Sequence, residues 1–120
     1  MYSYEEQCVM DLSDNYTLLY SFLGREVLDA FGVEGERAFR EGTRRYGRDR
    51  GQCSREKHQA LGVKINMKSL FSVGGDLPPD PRFHRELQEL NPEERVSHTL
   101  VCPMADIWKA YGERAIGRMY

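Results

Sequence analysis

The sequence predicts an α+β fold in which a helical hairpin comes first, a β-hairpin follows, and a helix comes last. Three observations support this class. Apolar residues recur at helical spacing through 11–61, glycines and prolines interrupt the chain at 74–81, and residues 95–101 alternate like a strand. The interruption divides the 120 residues into a helical part, 1–75, and a hairpin-plus-helix part, 82–120. We expect one domain, or the first fragment of a larger one.

Two long helices are predicted in the helical part. The first covers 11–31 and stops at Gly32, and its apolar side is expected to form the core: Leu12, Tyr16, Leu19, Tyr20, Leu23, Val27 and Phe31. The second covers 36–61 and stops at Gly62. Its glycines indicate the close approach of another helix. A further short helix is predicted within 63–75.

Charge is distributed unevenly along these helices. Residues 1–36 contain eight acids and one base, whereas residues 37–57 contain eight bases and three acids. Attraction between two antiparallel helices of opposite charge is the simplest explanation. The basic stretch lacks the aromatic platform of a nucleic-acid-binding module, so nucleic acid is not an expected partner.

The second part begins with two predicted strands, 82–90 and 95–101, joined by a turn at 91–94. A lone hairpin has free edges, so we expect the sheet to be completed by a second polypeptide or by more of the same one. Pro103 suits the first position of a helix, which places Ile107, Trp108 and Tyr111 on one side. Residues 115–120 keep helical spacing.

Composition excludes several classes of protein. No apolar run approaches the length of a membrane span and the first residues are not a signal peptide, so a cytoplasmic protein without membrane contact is expected. The widely spaced Cys8, Cys53 and Cys102 form neither a disulfide framework nor the paired ligands of structural zinc. We expect no metal and no cofactor. Mean hydropathy is −0.65, which indicates a thin core that a second chain completes.

Residues 101–120 resemble the L-2-amino-thiazoline-4-carboxylate hydrolase family. The resemblance depends on a β-like segment followed by Cys102-Pro103, Asp106, Trp108, Tyr111-Gly112-Glu113 and Ile116-Gly117-Arg118-Met119-Tyr120. It implies hydrolytic opening of a small cyclic amidine or related ring. It also implies a longer chain, with a cysteine next and then strands containing His and Asp. The sequence therefore represents either a truncated or divergent member or the first fragment of a precursor cleaved after Tyr120.

Cleavage after Tyr120, the predicted processing site, would give the second fragment an N-terminal cysteine. Its α-amine, with a pKa of about 8, can act as the general base for the thiol. A small cyclic acid as substrate needs a cation or hydrogen-bond donor for its carboxylate, and the candidates are Lys64, Asn66 and Arg118. A divergent member could instead open a lactam or another cyclic amide.

Two alternatives remain open. If the chain acts alone, His98 and Cys102 form the only credible base and nucleophile. Four strand residues span ~13 Å, so this pair requires a turn between them. Alternatively, the chain is a non-catalytic helical interaction module or regulatory subunit, which needs no site. A co-purifying polypeptide that begins with Cys, Ser or Thr distinguishes the enzyme from the module.

Overall fold

The computed structural model describes residues 1–73 and 78–120, and for Arg114 and Ala115 it describes the backbone only. In chain order the elements are α1 (Tyr4–Leu61), α2 (Met67–Ser72), β1 (His84–Leu90), β2 (Arg95–Val101), α3 (Pro103–Ala110) and α4 (Arg114–Gly117). The predicted α+β class and the order of its parts are confirmed. Part of the predicted break, 74–77, lies outside the described residues.

Helix α1 turns back on itself at Gly32, whose φ of 54° and ψ of −130° are not helical. The ring of Tyr20 in the first arm (residues 4–31) lies 4.8 Å from that of Phe39 in the second arm (residues 33–61). Its hydroxyl is 3.4 Å from that of Thr43, whereas residues 20 and 43 of an unbroken helix would lie ~34 Å apart. The arms therefore pack as the predicted hairpin. One glycine reverses the chain, because glycine alone adopts positive φ at little cost.

The first arm begins seven residues earlier than predicted. Ser3 is its N-cap, and the Ser3 hydroxyl accepts a hydrogen bond from the Glu6 amide at 3.1 Å. The Glu6 carboxylate accepts one from the Ser3 amide at 2.7 Å. This reciprocal capping box satisfies amide groups that a helix leaves without partners at its start.

The core lies along a narrow face of the first arm that carries small residues. Thr17, Ser21 and Gly24 are buried there. The indole N–H of Trp108 donates to the Ser21 hydroxyl at 2.9 Å. A Cβ placed on Gly24 would lie 3.2 Å from the Cδ1 of Ile116, which is fully buried. We call this contact between the first arm and α3–α4 the seam.

The apolar side of the first arm that was expected to form the core is largely exposed. Leu12, Leu19, Leu23 and Phe31 have exposed fractions between 54% and 70%. The prediction of this core face was wrong. The small-residue face lets bulky side chains from α3 and α4 approach closely, and the larger apolar side chains are left on the surface.

The glycines of the second arm are not sites of close approach, which corrects a second expectation. Apart from the backbone of the helix itself, no described atom lies within 4 Å of a Cβ placed on Gly42, Gly47 or Gly51. All three glycines are exposed, and Gly42 lies on a different side of the helix from the other two.

The charges of the second arm are paired along that arm. The Arg40 guanidinium lies 2.9 Å from the Glu36 carboxylate, and the Arg45 guanidinium lies 3.3 Å from that of Glu41. Such pairs between residues four apart are exposed and each stabilises a helix only slightly. At Tyr20 the two arms meet through an aromatic contact with Phe39 and a contact with the Thr43 hydroxyl.

The second arm ends at Gly62, which has a φ of 66°, and the chain then enters α2. The short helix predicted within 63–75 is therefore confirmed as Met67–Ser72. The Met67 amide donates to the Pro92 carbonyl at 2.9 Å, which joins α2 to the turn of the β-hairpin.

Strands β1 and β2 pair antiparallel, and within the described residues the sheet has only these two strands. The Asn91 side chain accepts hydrogen bonds from the Glu93 and Glu94 amides at 2.9 and 2.8 Å, which builds the predicted turn. The second strand has its predicted bounds, and the first begins at His84 rather than at residue 82. Most residues of both strands are exposed, and among the described elements no layer covers either face of the sheet.

The protein has a solvent-accessible surface of 8781 Å². A compact monomer of 13.9 kDa is expected to have roughly 6,700 Å², so the excess is about 2,000 Å². Many large apolar side chains, Leu19 and Phe22 among them, are part of this exposed surface. Among the described helices, none is long and apolar enough to cross a membrane.

Ile116→Ala tests the seam. We expect it to lower the free energy of unfolding by about 2–5 kcal/mol, because it opens a cavity against Gly24 in a buried site. Leu19→Ala, at an exposed leucine, is the control and should change stability by less than about 0.5 kcal/mol. Urea unfolding followed by circular dichroism gives both values. Equal effects of the two substitutions would show that the seam is not the core.

Candidate functional site

An apolar groove of about 480 Å³ lies between the first arm, the segment 78–83 and the start of α3. Three phenols from distant parts of the chain line it, and we name it the tyrosine groove after them: Tyr16, Tyr46 and Tyr120. Its other lining residues are Ser13, Pro78, Asp80 and the apolar Val9, Leu12, Phe83, Pro103 and Met104. The volume is in the range of small-molecule sites.

Tyr120 is held in the groove wall by other aromatic rings. Its ring centroid lies 5.4 Å from that of Tyr20, 5.6 Å from that of Trp108 and 6.4 Å from that of Tyr16. The contacts with Tyr20 and Tyr16 are edge-on, a geometry that aromatic rings prefer. Because Trp108 belongs to the seam, the position of Tyr120 depends on the core.

The phenol of Tyr16 stays protonated well above neutral pH. Burial, and to a lesser extent the nearby Tyr120 hydroxyl, together raise the pKa of Tyr16 to about 12. Tyr16 is therefore a neutral group that can donate and accept hydrogen bonds at physiological pH.

The polar side of the groove is a closed ion-pair network. The Arg82 guanidinium donates to the Asp14 and Asp80 carboxylates, each at 2.7 Å. The same Asp80 carboxylate accepts from the Arg82 amide at 2.9 Å and from its Nε at 3.0 Å. These bonds from Arg82 lower the pKa of Asp80, so its carboxylate is ionised in the groove wall. The network also ties residues 80–82 to the first arm.

His98 and Cys102 are not brought together by the chain. His98 lies in β2 with an exposed side chain, and Cys102 follows that strand as the N-cap of α3. Residues 95–101 are extended, which separates the two by ~13 Å. The turn that a base and nucleophile at these positions would require is therefore absent from this segment.

The other predicted site residues lie in three places. Asn66 is the N-cap of α2, where its side chain accepts from the Ser69 amide at 2.9 Å. Lys64 lies just before it with an exposed side chain. Arg118 is also exposed, and its carbonyl accepts from the Arg40 guanidinium at 3.2 Å. None of these three predicted binding residues is among the described residues that line the groove, whereas Tyr120 is.

His58 is a buried polar residue that the prediction did not include. Its Nδ1 lies 2.7 Å from the Ser54 carbonyl oxygen, so Nδ1 carries the proton. Among the described residues its buried Nε2 has no hydrogen-bond partner, which costs stability. No signal in the sequence indicates this burial, because the acceptor at Ser54 is a backbone carbonyl that any residue would supply. In the described part of the chain, no three His, Cys, Asp or Glu side chains are placed to hold a metal ion.

Comparison of the chain with protein families, with curated proteins and with solved structures finds no match. The resemblance to the thiazoline-carboxylate hydrolases therefore depends on the sequence motif alone.

Arg82→Met tests whether the ion-pair network supports the groove. We expect a loss of about 2–3 kcal/mol in the free energy of unfolding, because Asp80, with a side chain only 10% exposed, loses its charged donor. Arg37→Met removes an ion pair between exposed side chains and should cost less than about 1 kcal/mol. Urea unfolding at pH 7 provides the comparison. A loss no larger than that of the control would contradict a structural role for Arg82.

Tyr16→Phe tests whether the Tyr16 phenol stays protonated at high pH. A raised pKa means that the stabilising effect of the neutral phenol is complete below pH ~10 and is lost as the pH rises toward 12. We therefore expect the free energy of unfolding to fall less steeply in the variant than in the original protein over this range. Chemical unfolding at several pH values measures the slopes, and Tyr4→Phe controls for loss of an exposed hydroxyl. Identical slopes in the original protein and Tyr16→Phe would contradict the burial of this phenol.

Proposed function

We propose that this chain is one subunit of a cysteine-dependent hydrolase that opens a small cyclic amide or amidine. A second polypeptide, released from the same precursor by cleavage after Tyr120, supplies the nucleophile. The observation that carries the proposal is the place of Tyr120 in the wall of the tyrosine groove. Consecutive Cα atoms are ~3.8 Å apart, so a residue that follows Tyr120 in a precursor starts at the groove.

The chemistry of such a site follows from an N-terminal cysteine. Its α-amine takes the thiol proton, and the thiolate attacks the ring carbonyl carbon of a cyclic amide. The C–N bond breaks, the ring nitrogen takes a proton and leaves as an amine, and water then cleaves the thioester to give a carboxylate and the free thiol. Neutral phenols at Tyr16 and Tyr46 are suitable donors to the oxyanion that develops.

The exposed surface supports the requirement for a second polypeptide. The excess of about 2,000 Å² over a compact monomer is of the size that one partner buries in an obligate interface. Both edges of a two-stranded sheet offer unpaired backbone groups for further strands. In this proposal the second polypeptide covers the open sheet and the exposed apolar side of the first arm.

A non-catalytic interaction module is the second candidate. One observation favours it. The nucleophile and base expected for a chain that acts alone, Cys102 and His98, are separated by the extended backbone of β2. The exposed apolar surface supports both candidates equally. They differ in whether the companion polypeptide carries a nucleophile at its amino terminus.

Intact mass spectrometry of the native protein, with N-terminal sequencing of each species, tests the proposal. We expect the 13.9 kDa chain together with a second polypeptide that begins with Cys. A fully active uncut precursor would exclude processing, and the 13.9 kDa chain without a companion would favour the interaction module.

Substitution of Tyr120 in the precursor tests whether this residue is needed for cleavage. Tyr120→Ala should lower the fraction of precursor cleaved, because Tyr120 is anchored by Tyr20 and Trp108 beside the cleaved bond. Tyr111→Ala is the control, since Tyr111 is exposed and lies outside the tyrosine groove. Cleavage that is equally efficient in both variants would contradict the role of Tyr120.

A further inference from the structure

We infer that the tyrosine groove binds an uncharged aromatic cyclic amide, and that it disfavours ligands that carry a carboxylate. This inference rests on the proposed function, since it names the substrate class of the same site. It departs from the acidic substrate that the sequence resemblance implies.

The first argument is the charge of the groove. Among the described lining residues there is no Lys, Arg or His, and the one charged side chain is the carboxylate of Asp80. The neighbouring cation, Arg82, is already bound by Asp14 and Asp80. In the described lining, which this chain alone supplies, a ligand carboxylate would lose its hydration, meet no free cation and lie beside a like charge.

The second argument is the set of available hydrogen-bonding groups. Arg82 donates three hydrogen bonds to Asp80. The polar groups that remain in the described lining are the Ser13 hydroxyl and the phenols of Tyr16, Tyr46 and Tyr120, and the Tyr16 phenol interacts with the other two phenols. A phenol donates one hydrogen bond and also accepts. Neighbouring phenols therefore match the adjacent C=O and N–H of a cyclic amide, which needs one donor and one acceptor.

The third argument is the apolar wall. Val9, Leu12, Phe83 and Met104 line the rest of the groove, and its volume of about 480 Å³ exceeds that of a fused bicyclic ring. Aromatic rings pack well against such side chains, and the apolar contact favours a flat ring over a hydrated chain. The exposed side chains of Leu19 and Phe22 lie outside the groove and form the surface left for a polypeptide.

A matched pair of probes tests the inference with the native protein and any polypeptide that purifies with it. The probes are oxindole, a neutral bicyclic lactam, and oxindole-5-carboxylate. Binding is measured by isothermal titration calorimetry, and the contact is mapped by saturation-transfer NMR. We expect oxindole to bind at least about tenfold more tightly than the carboxylate.

Two lysine substitutions locate the preference. Leu12→Lys places a cation in the groove and should reduce the ratio of the two affinities at least about fivefold, because it stabilises the bound carboxylate. Leu19→Lys, at a similarly exposed leucine outside the groove, should leave the ratio unchanged. Tighter binding of the carboxylate, binding of neither probe, or equal ratios in both variants would each overturn the inference.

These outcomes are separable from those of the proposed function. A companion polypeptide with an N-terminal cysteine, together with tighter binding of the carboxylate, would leave the hydrolase proposal in place and remove the ligand class. Conversely, selective binding of oxindole by a chain that has no companion would support the ligand class and remove the two-subunit hydrolase.

Discussion

The close contact between the first arm of α1 and the last two helices is the constraint on which the other parts depend. The Trp108 indole is fixed by its hydrogen bond to Ser21, and Ile116 fills the space that Gly24 leaves. Arg25 adds an ion pair to Glu113 in the connection between α3 and α4. Once Trp108 is fixed, Tyr120 has a surface to pack against, and the groove gains its third phenol.

The same contact explains why so much apolar surface is left exposed. The first arm has apolar residues on more than one side, and only one side can face α3 and α4. Burying the small residues there leaves Leu19, Leu23 and Phe31 on the surface, and no described layer covers the sheet. Burial of these side chains against another surface would add to the stability of the fold.

Local rules in the sequence were enough for much of the fold. The turn at Asn91, the second strand and the helix that begins at Pro103 follow from backbone chemistry within a few residues. The capping box of Ser3 and Glu6 can also be recognised in the sequence, and it marks the start of α1. The buried side of the first arm could not be predicted from the sequence. Hydrophobic periodicity identifies the side with large apolar residues, whereas the side that is buried carries small residues.

The candidate site was less predictable than the fold, because it joins segments that are distant in the sequence. Its phenols come from positions 16, 46 and 120, and its ion pair joins Asp14 to Arg82. The pair expected for a chain that acts alone, His98 and Cys102, is close along the chain but separated by extended backbone. Only Tyr120 among the predicted site residues lies in the groove, and it does so through aromatic packing that no local pattern specifies.

The tyrosine groove has the properties of a binding site, and its described lining includes no cysteine or histidine. Aromatic packing holds one wall and the Arg82 network holds the other, so both are in place before a ligand arrives. Phenols, and a carboxylate already bonded to Arg82, can orient a ring by hydrogen bonds, but they do not attack it. The proposed function therefore assigns substrate binding to this chain and the nucleophile to a second polypeptide.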